Sequence, residues 1–191
     1  MKNDPLILGF DTSGPYCAAA LMRGGDVIAC VAEDMTRGQA ERLMSLLEET
    51  LTSQGVTWSN LDALAVGTGP GNFTGIRIGV SAARGVALGL AIPAYGVTGF
   101  QSHARIALPG TTVTINAPRD MVYISDAQGP RLVPKDEVPN PAPQPTPAAL
   151  AKAIAQHAAS LWPTPCPAPA PYYVRAPDAA PARDAPPKVL S

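Results

Sequence analysis

The side chains of Asp11, Thr12 and Ser13 are the clearest candidates for chemistry in this sequence. They follow the apolar run 6–10, which predicts a buried strand. At the end of a strand, a carboxylate can hold a metal-bound water, while hydroxyls and backbone N–H groups can hold phosphate oxygens. The same residue types also form turns that satisfy only their own backbone. From these three residues alone, the turn interpretation is favoured.

A second candidate is the glycine-rich stretch 67–79, whose sequence is GTGPGNFTGIRIG. It lies between an apolar run that predicts a strand and a long apolar segment that predicts a helix. Backbone without a Cβ atom can approach a phosphate or another chain closely. The stretch lacks the lysine of a P-loop, and no register of it gives G-x-G-x-x-G. The two commonest phosphate-binding loops are therefore excluded.

Metal and nucleophile chemistry finds little support in the sequence. His103 and His157 stand far apart and in no H-x-x-x-H or H-E-x-x-H frame. Ser81 lies in a segment that resembles half of a nucleophile elbow, but the surrounding pattern predicts a helix instead of a strand-to-helix turn. No pairing of a cysteine with a histidine is evident. We therefore expect no catalytic residue and no metal site.

Strand and helix patterns alternate over the first half of the chain. Apolar runs predict strands at 6–10, 17–22, 27–32, 63–66 and 94–97, and helical patterns predict helices at 37–53, 73–91 and 99–107. Gly24 and Gly25 fit a hairpin turn, and the segment 36–39 fits a capping box. Strands that alternate with crossover helices predict an α/β fold with a mixed sheet.

The second half of the chain is richer in proline. Fifteen of the 22 prolines fall between residues 134 and 191, where continuous sheet is not expected. Before that region, the pattern predicts strands at 111–116, 121–125 and 131–133, and after it a helix over 148–161 with Pro147 in its first turn. We predict a first lobe over residues 1–98 and a reduced, proline-rich second lobe over residues 99–191.

Two predicted helices have unusual faces. Helix 37–53 places most apolar side chains on one face, whereas Leu46 points elsewhere and indicates a second contact surface. Helix 73–91 has a stripe of small side chains that consists of Gly75, Gly79, Ala82, Val86 and Gly89. A neighbouring helix or sheet can come close to such a stripe, and the periodicity fits a neighbour in the same chain and a partner protein equally well. Arg77 opposes the helix dipole there and is expected to be solvated unless it meets an anion or a partner.

Composition excludes some classes of function. A net charge of −1 gives no long-range attraction to nucleic acid. The three cysteines share no C-x-x-C spacing, which is typical of buried thiols in a cytoplasmic protein. The most apolar span, 86–92, is short and ends at Pro93, so no membrane crossing is expected. The first residues lack the pattern of a secretory signal.

Four segments together resemble the bacterial TsaB (YeaZ) family. They are ILGFDTS at 7–13, AERLM at 40–44, the glycine-rich stretch 67–79 and ARGVA at 83–87. The similarity is close from about residue 6 to residue 102 and weakens through 115–123. It returns at YYVR, 172–175.

This resemblance implies an actin-like, two-lobed α/β fold of the ASKHA and ribonuclease H-like type. It implies a cytoplasmic, non-catalytic dimerisation subunit of the machinery that makes threonylcarbamoyladenosine beside the tRNA anticodon. The implied main partner is TsaD, bound through helices 37–53 and 73–91. TsaE belongs to the same complex, and tRNA is contacted indirectly through it. When TsaD is absent, the implied partner is a second copy of the chain. The catalytic relative TsaD holds a metal through an H-x-x-x-H helix, which this chain lacks.

The resemblance also assigns residues. The implied partner interface comprises Arg37, Ala40, Met44, Leu47, Gly75, Gly79, Ala82 and Val86. Gly79→Leu is therefore expected to abolish TsaD binding while the isolated chain stays folded. Asp11, Thr12 and Ser13 correspond to the nucleotide-phosphate turn of the superfamily. The glycine motif on the adenosine side, in the second lobe of the superfamily, has no clear counterpart in this sequence, so no cofactor is expected.

Two alternative functions remain open at this point. The chain is either a scaffold of the kind described or a small actin-fold ATPase or kinase in which Asp11 holds Mg²⁺ with ATP. A third function, a metallopeptidase, is suggested by the historical label of family relatives. It would need zinc ligands that the sequence does not contain.

Overall fold

A five-stranded mixed sheet forms the centre of the fold in the computed structural model, which describes residues 4–174. Its strands are β1 (Leu6–Asp11), β2 (Tyr16–Arg23), β3 (Asp26–Asp34), β4 (Ala63–Gly67) and β5 (Ala94–Val97). Their order is β3-β2-β1-β4-β5, with β2 antiparallel to β1 and β3, and with β4 parallel to both β1 and β5. The predicted α/β fold with a mixed sheet is confirmed.

Two helices cover one face of this sheet. They are α1 (Gln39–Thr52) and α2 (Phe73–Leu90), which also pack against each other. Because side chains alternate along a strand, Leu6, Leu8 and Phe10 of β1 face these helices and join one core with Leu43 and Val80. Both helices end within one residue of the predicted positions. A single 3₁₀ turn, Trp58–Asn60, connects α1 to β4.

The start of α1 differs from the prediction. Gly38 occupies the cap position in the left-handed conformation, with φ 85°, and no side chain caps the helix. The side-chain amide of Gln39 instead donates to the backbone carbonyls of Gly14, at 2.7 Å, and Tyr16, at 3.4 Å. The capping-box prediction for 36–39 is wrong because Gln39 bonds the turn before β2 instead of its own helix.

A single long helix covers the opposite face of the sheet. This helix is α4 (Pro147–Leu161). A short helix, α3 (Gly99–Ala104), precedes it in the chain, and the strands of a second sheet lie between the two. Ile154 of α4 is fully buried in one cluster with Ile7 of β1. The backbones come close where a Cβ atom built on Gly9 would lie 2.8 Å from Ala155 Cβ. The alanine-rich face of α4 therefore fits a sheet surface of small residues.

The remaining strands form a second, smaller sheet. It contains β6 (Ile115–Ala117), β7 (Met121–Asp126) and β8 (Gly129–Pro134), all antiparallel, and a 3₁₀ turn follows at Lys135–Glu137. Val122, Ile124 and Val138 form its own core. The strand predicted at 111–116 begins only at Ile115, because Thr112 makes a single bridge with Pro141.

The predicted division of the chain at residue 98 requires a correction. It assigns α4 to the second lobe, whereas α4 packs against β1, β2 and β4 of the five-stranded sheet. Between residue 99 and residue 174, the separate unit is the small sheet β6–β8. The last part of the predicted proline-rich lobe, residues 175–191, lies outside the described residues.

Candidate functional site

The turn after β1 keeps the carboxylate of Asp11 occupied. Asp11 is only 3% exposed. Its two oxygens accept hydrogen bonds from the backbone N–H of Ser13 at 2.9 Å, from the Ser13 hydroxyl at 2.9 Å and from the Tyr16 hydroxyl at 2.7 Å. Burial and the Asp11 charge raise the pKa of Tyr16, so the phenol remains a donor. Asp11 and Ser13 lie together as predicted, in an arrangement that the turn interpretation explains.

Thr12 of the same turn faces α2. Its buried hydroxyl donates to the carbonyl of Gly75 at 2.7 Å. A Cβ atom on Gly75 would lie 1.9 Å from the Thr12 carbonyl oxygen, and a Cβ on Gly79 would lie 2.7 Å from Thr12 Oγ1 and 3.3 Å from Val66 Cγ2. At these two positions no side chain fits between α2 and the sheet with its Thr12 turn. The two glycines therefore allow α2 to pack closely against them.

The predicted small-residue stripe is consequently not one partner surface. Gly75 and Gly79 are buried against the chain itself, and Ala82 and Val86 are partly buried at the edge of the core. Gly89, by contrast, faces open space. This geometry corrects the assignment of Gly75 and Gly79 to the partner interface. It also corrects the expectation that Gly79→Leu leaves the fold intact, because a leucine side chain there would overlap Thr12.

Two leucines of α1 also require correction. The sequence predicts Leu47 at the interface and Leu46 on a second contact surface. Both are buried in the core between the helices and the sheet, at 1% and 0% exposure. They are covered because α1 packs on both the sheet and α2, so that more than one stripe of the helix faces the interior.

An open groove runs between α1 and α2 on the outer surface, with a volume of about 470 Å³. We call it the α1–α2 groove. It is lined by Ala40, Leu43, Met44, Phe73, Thr74, Arg77, Ile78, Ser81 and Ala82. Three of the predicted interface residues, Ala40, Met44 and Ala82, lie on its walls, and Met44 is 42% exposed. Arg37 is exposed just before α1 but does not line the groove.

Sequence reasoning missed most of the α2 wall of the groove. Phe73, Arg77 and Ser81 follow one another at intervals of four residues, which places them on one side of a helix. That spacing is a signal in the sequence. The small residues of the same helix form a second pattern, which predicts a different contact face.

A segment near the end of the described residues contacts two side chains of the α2 wall of the groove. The Tyr173 ring stacks on Phe73 with centroids 4.7 Å apart, and the Tyr173 hydroxyl accepts a hydrogen bond from Arg77 Nε at 3.0 Å. The Arg77 guanidinium lies 3.9 Å from the centre of the Phe73 ring. The segment is anchored by the Tyr172 N–H, which donates to the Thr68 carbonyl at 2.8 Å. Sequence patterns do not show this contact, because 96 residues separate Arg77 from Tyr173.

The outer side of α1 is acidic. A shallow second groove of about 620 Å³ continues from Met44 past Glu48 and Glu49 to Trp58, whose indole N–H donates to Glu48. The guanidinium of Arg42 bridges Glu49 and Glu33 of β3, and it lowers the pKa of both carboxyl groups. The negative charge of this side is thus partly neutralised within the chain.

A narrow cleft separates the ends of the strands from the small sheet. Its volume is about 170 Å³, and Asp11, Asn116 and Gln144 are among its lining residues. Small-molecule sites typically enclose about 300–1,000 Å³, so the cleft is smaller than a typical site of this kind. His103 is buried at its edge and donates from Nδ1 to the Gly99 carbonyl at 2.7 Å. Burial lowers the pKa of His103, so the ring is neutral at pH 7.

Within residues 4–174, no three histidine, cysteine, aspartate or glutamate side chains are grouped as metal ligands. The three cysteines are free, and burial raises the pKa of Cys17 to about 11. None of the helices described is both long and apolar enough to span a bilayer.

The chain was compared with known protein families and sequences. A family model described as "TsaD: tRNA N6-adenosine threonylcarbamoyltransferase" matches residues 30–158, which is more than half of the chain. The "tRNA threonylcarbamoyladenosine biosynthesis protein TsaB" of Escherichia coli K12 is 38% identical over 99 residues, which are 52% of this chain and 42% of that protein. The chain spans about half the length of the curated relatives it matches.

Solved structures show the same fold. An uncharacterized Pseudomonas aeruginosa protein with similarity to the peptidase YEAZ matches 90% of this chain and 100% of its own, with a TM-score of 0.71 and 24% identity. The structure described as YeaZ from Pseudomonas aeruginosa matches 83% of this chain and 93% of its own, with a TM-score of 0.63 and 27% identity. The implied actin-like, ribonuclease H-like fold is therefore confirmed. The chain belongs to the TsaD family and, within it, is similar to the TsaB (YeaZ) proteins.

Proposed function

We propose that this chain is a non-catalytic docking subunit that binds a TsaD protein through the α1–α2 groove. It thereby supports the transfer of the threonylcarbamoyl group to tRNA adenosine in the cytoplasm. The proposal draws on the E. coli relative, which is named as a protein of threonylcarbamoyladenosine biosynthesis. The observation that carries it is the open groove between two helices that are otherwise packed on their own sheet.

The lining of the groove suits a helix from a partner. Leu43 supplies an apolar floor, Met44 is a flexible apolar side chain on one wall, and Phe73 with Arg77 stands on the other. Aromatic residues, methionine and arginine are the types enriched at protein interfaces. An amphipathic helix laid into a groove of this kind buries its apolar side chains at intervals of three and four residues.

The non-catalytic part of the proposal is supported by how the polar candidates are used. The Asp11 carboxylate is occupied by three donors from its own turn and β2, and the Thr12 hydroxyl is bonded to α2. A Mg²⁺ ion at Asp11 would compete with these donors for the carboxylate oxygens. We accordingly propose that the chain holds TsaD in place, in a complex that also includes TsaE and through which tRNA is contacted indirectly. When TsaD is absent, the same groove pairs two copies of the chain.

The test is a matched pair of arginine substitutions. Ser81→Arg puts a long charged side chain into the groove from an exposed position. Ser160→Arg makes the same change at an exposed position of α4, on the other face of the sheet. We expect isothermal titration with TsaD of the same organism to show affinity weakened about thirtyfold or more by Ser81→Arg, because an unpaired charge would be buried at the interface. Ser160→Arg is expected to bind as the wild type does.

Both variants should unfold at the wild-type denaturant midpoint, since each position is exposed on a helix and arginine is a good helix former. Unchanged binding by Ser81→Arg, or equal losses in the two variants, would contradict the assignment of the groove.

A further inference from the structure

We infer that Tyr173 is a positioning residue that fixes Arg77 so that its guanidinium receives a carboxylate from the helix docked in the α1–α2 groove. This inference rests on the proposed function and adds to it a charged contact and a role for the segment at 172–174. The partner it describes is an amphipathic helix of TsaD that carries an aspartate or glutamate beside its apolar face.

Arg77 is held from two directions. The Phe73 ring lies 3.9 Å below the guanidinium, and the Tyr173 hydroxyl accepts from Nε at 3.0 Å. Tyr173 is in turn fixed by stacking on the same Phe73 ring, with centroids 4.7 Å apart. Three side chains from two distant parts of the chain therefore restrict one another.

Within residues 4–174, the outer nitrogens of Arg77 have no hydrogen-bond partner. Among residues 4–174, no carboxylate lies within ion-pair distance of Arg77, and its only hydrogen bond is the one from Nε. Arg42 on the neighbouring helix is the contrast, because Glu33 and Glu49 engage all three of its guanidinium nitrogens. An arginine whose Nη groups are unpaired at the wall of an apolar groove is complementary to an incoming carboxylate.

Fixing the side chain in advance favours binding. A free arginine loses rotamer freedom when it forms an ion pair, and this loss reduces the affinity gained from the contact. Here the Tyr173 hydrogen bond and the Phe73 ring already limit that freedom before the partner arrives. Tyr173 thus raises affinity through Arg77, without needing to touch the partner.

The chain offers controls for both residues. Tyr172 is the neighbouring tyrosine, and its hydroxyl makes no hydrogen bond within the described residues, so Tyr172→Phe is the control for Tyr173→Phe. Arg84 is exposed on the same helix but does not line the groove, so Arg84→Gln is the control for Arg77→Gln. Every variant is first checked for the wild-type unfolding midpoint.

The experiment measures the affinity of each variant of the chain for TsaD of the same organism at low and at high salt. We expect Arg77→Gln to weaken binding about tenfold and Tyr173→Phe about threefold, with both controls unchanged. Arg77→Lys keeps the charge without the planar fork and should fall between the wild type and Arg77→Gln. High salt should weaken the wild type more than Arg77→Gln, because only the wild type forms the ion pair.

The double variant tests the positioning role directly. If Tyr173 acts through Arg77, Tyr173→Phe has no further effect in the Arg77→Gln background. A further threefold loss there would overturn the positioning role, because Tyr173 would then contact the partner itself.

Failure of this inference is distinguishable from failure of the proposed function. If Ser81→Arg abolishes TsaD binding while Arg77→Gln and Tyr173→Phe bind normally, the groove is the docking site and only the inference is overturned. If Ser81→Arg binds normally, both are overturned. If Arg77→Gln weakens self-association of the chain but not TsaD binding, the carboxylate belongs to a second copy, and the inference for TsaD is overturned.

Discussion

Asp11 and Thr12 carry side chains with catalytic potential, and both are bonded within the fold. Asp11 accepts from Ser13 and Tyr16, and Thr12 donates to Gly75. The sequence predicts a turn here, and the hydrogen bonds of Asp11 are of the kind that such a turn makes. It did not show the bond to Gly75, because that partner lies 63 residues away and only the docking of α2 brings it to the turn.

His103 is a residue at which acid should destabilise this fold. Its ring is buried, and burial lowers its pKa below the ordinary value of 6.5, although the Gly99 carbonyl and the Asp11 charge oppose the shift. Below pH 6.5, the unfolded chain therefore binds a proton that the folded protein does not bind. The stability that His103 contributes is fully present above pH 6.5 and declines as the pH falls.

We predict that the free energy of unfolding decreases more steeply between pH 7.5 and pH 5.5 in the wild type than in His103→Asn. The asparagine amide keeps a donor near the Nδ1 position but does not titrate. One proton limits the difference in slope to about 1.4 kcal/mol per pH unit. Urea unfolding at several pH values measures both slopes. Parallel pH profiles for the two proteins would show that His103 has no part in the acid sensitivity.

At the scale of elements, α2 has a close-packed side and an open side. Gly75 leaves no room for a methyl group, because the Thr12 carbonyl would lie 1.9 Å from its Cβ atom. Gly85 of the same helix is exposed and has no neighbour within 4 Å of an added Cβ. The two glycines of this helix therefore differ in role. Gly75 permits close contact with the Thr12 turn, whereas no contact among the described residues explains Gly85.

We predict opposite effects for one substitution at these two positions. Gly75→Ala should lower the free energy of unfolding by about 2–4 kcal/mol, because the backbone must shift to relieve the overlap. Gly85→Ala should raise it by about 0.5–1 kcal/mol, because alanine favours the helix and meets nothing. Equilibrium denaturation measures both values. A stabilising Gly75→Ala would mean that α2 does not approach the Thr12 turn as described.

Periodicity predicted most elements well and their faces less well. β5 and the extent of α2 were obtained nearly to the residue, because strong apolar runs end there at turn formers. The burial of Leu46 and the side-chain bonds of Gln39 were missed. Both depend on a third element packed against the helix, and a pattern of local spacing contains no information about such a neighbour.

At the scale of the whole molecule, chain order explains which surface remains open. The sheet is completed by β5, and α4 returns about 50 residues later to cover its second face. The predicted lobe boundary at residue 98 does not account for this packing of α4, because the sequence pattern of a helix does not indicate which sheet the helix packs against. With α4 on one face, the outer side of α1 and α2 is where the proposed partner docks.

Amide hydrogen exchange of the chain alone and in complex with TsaD tests this central claim most directly. The proposal predicts that exchange slows in peptides that cover Gln39–Thr52 and Phe73–Leu90, because a docked helix suppresses their local opening. Peptides that cover Pro147–Leu161 should exchange at the same rate in both samples. A complex that forms while protection appears only in α4 or in β6–β8 would contradict docking through the α1–α2 groove.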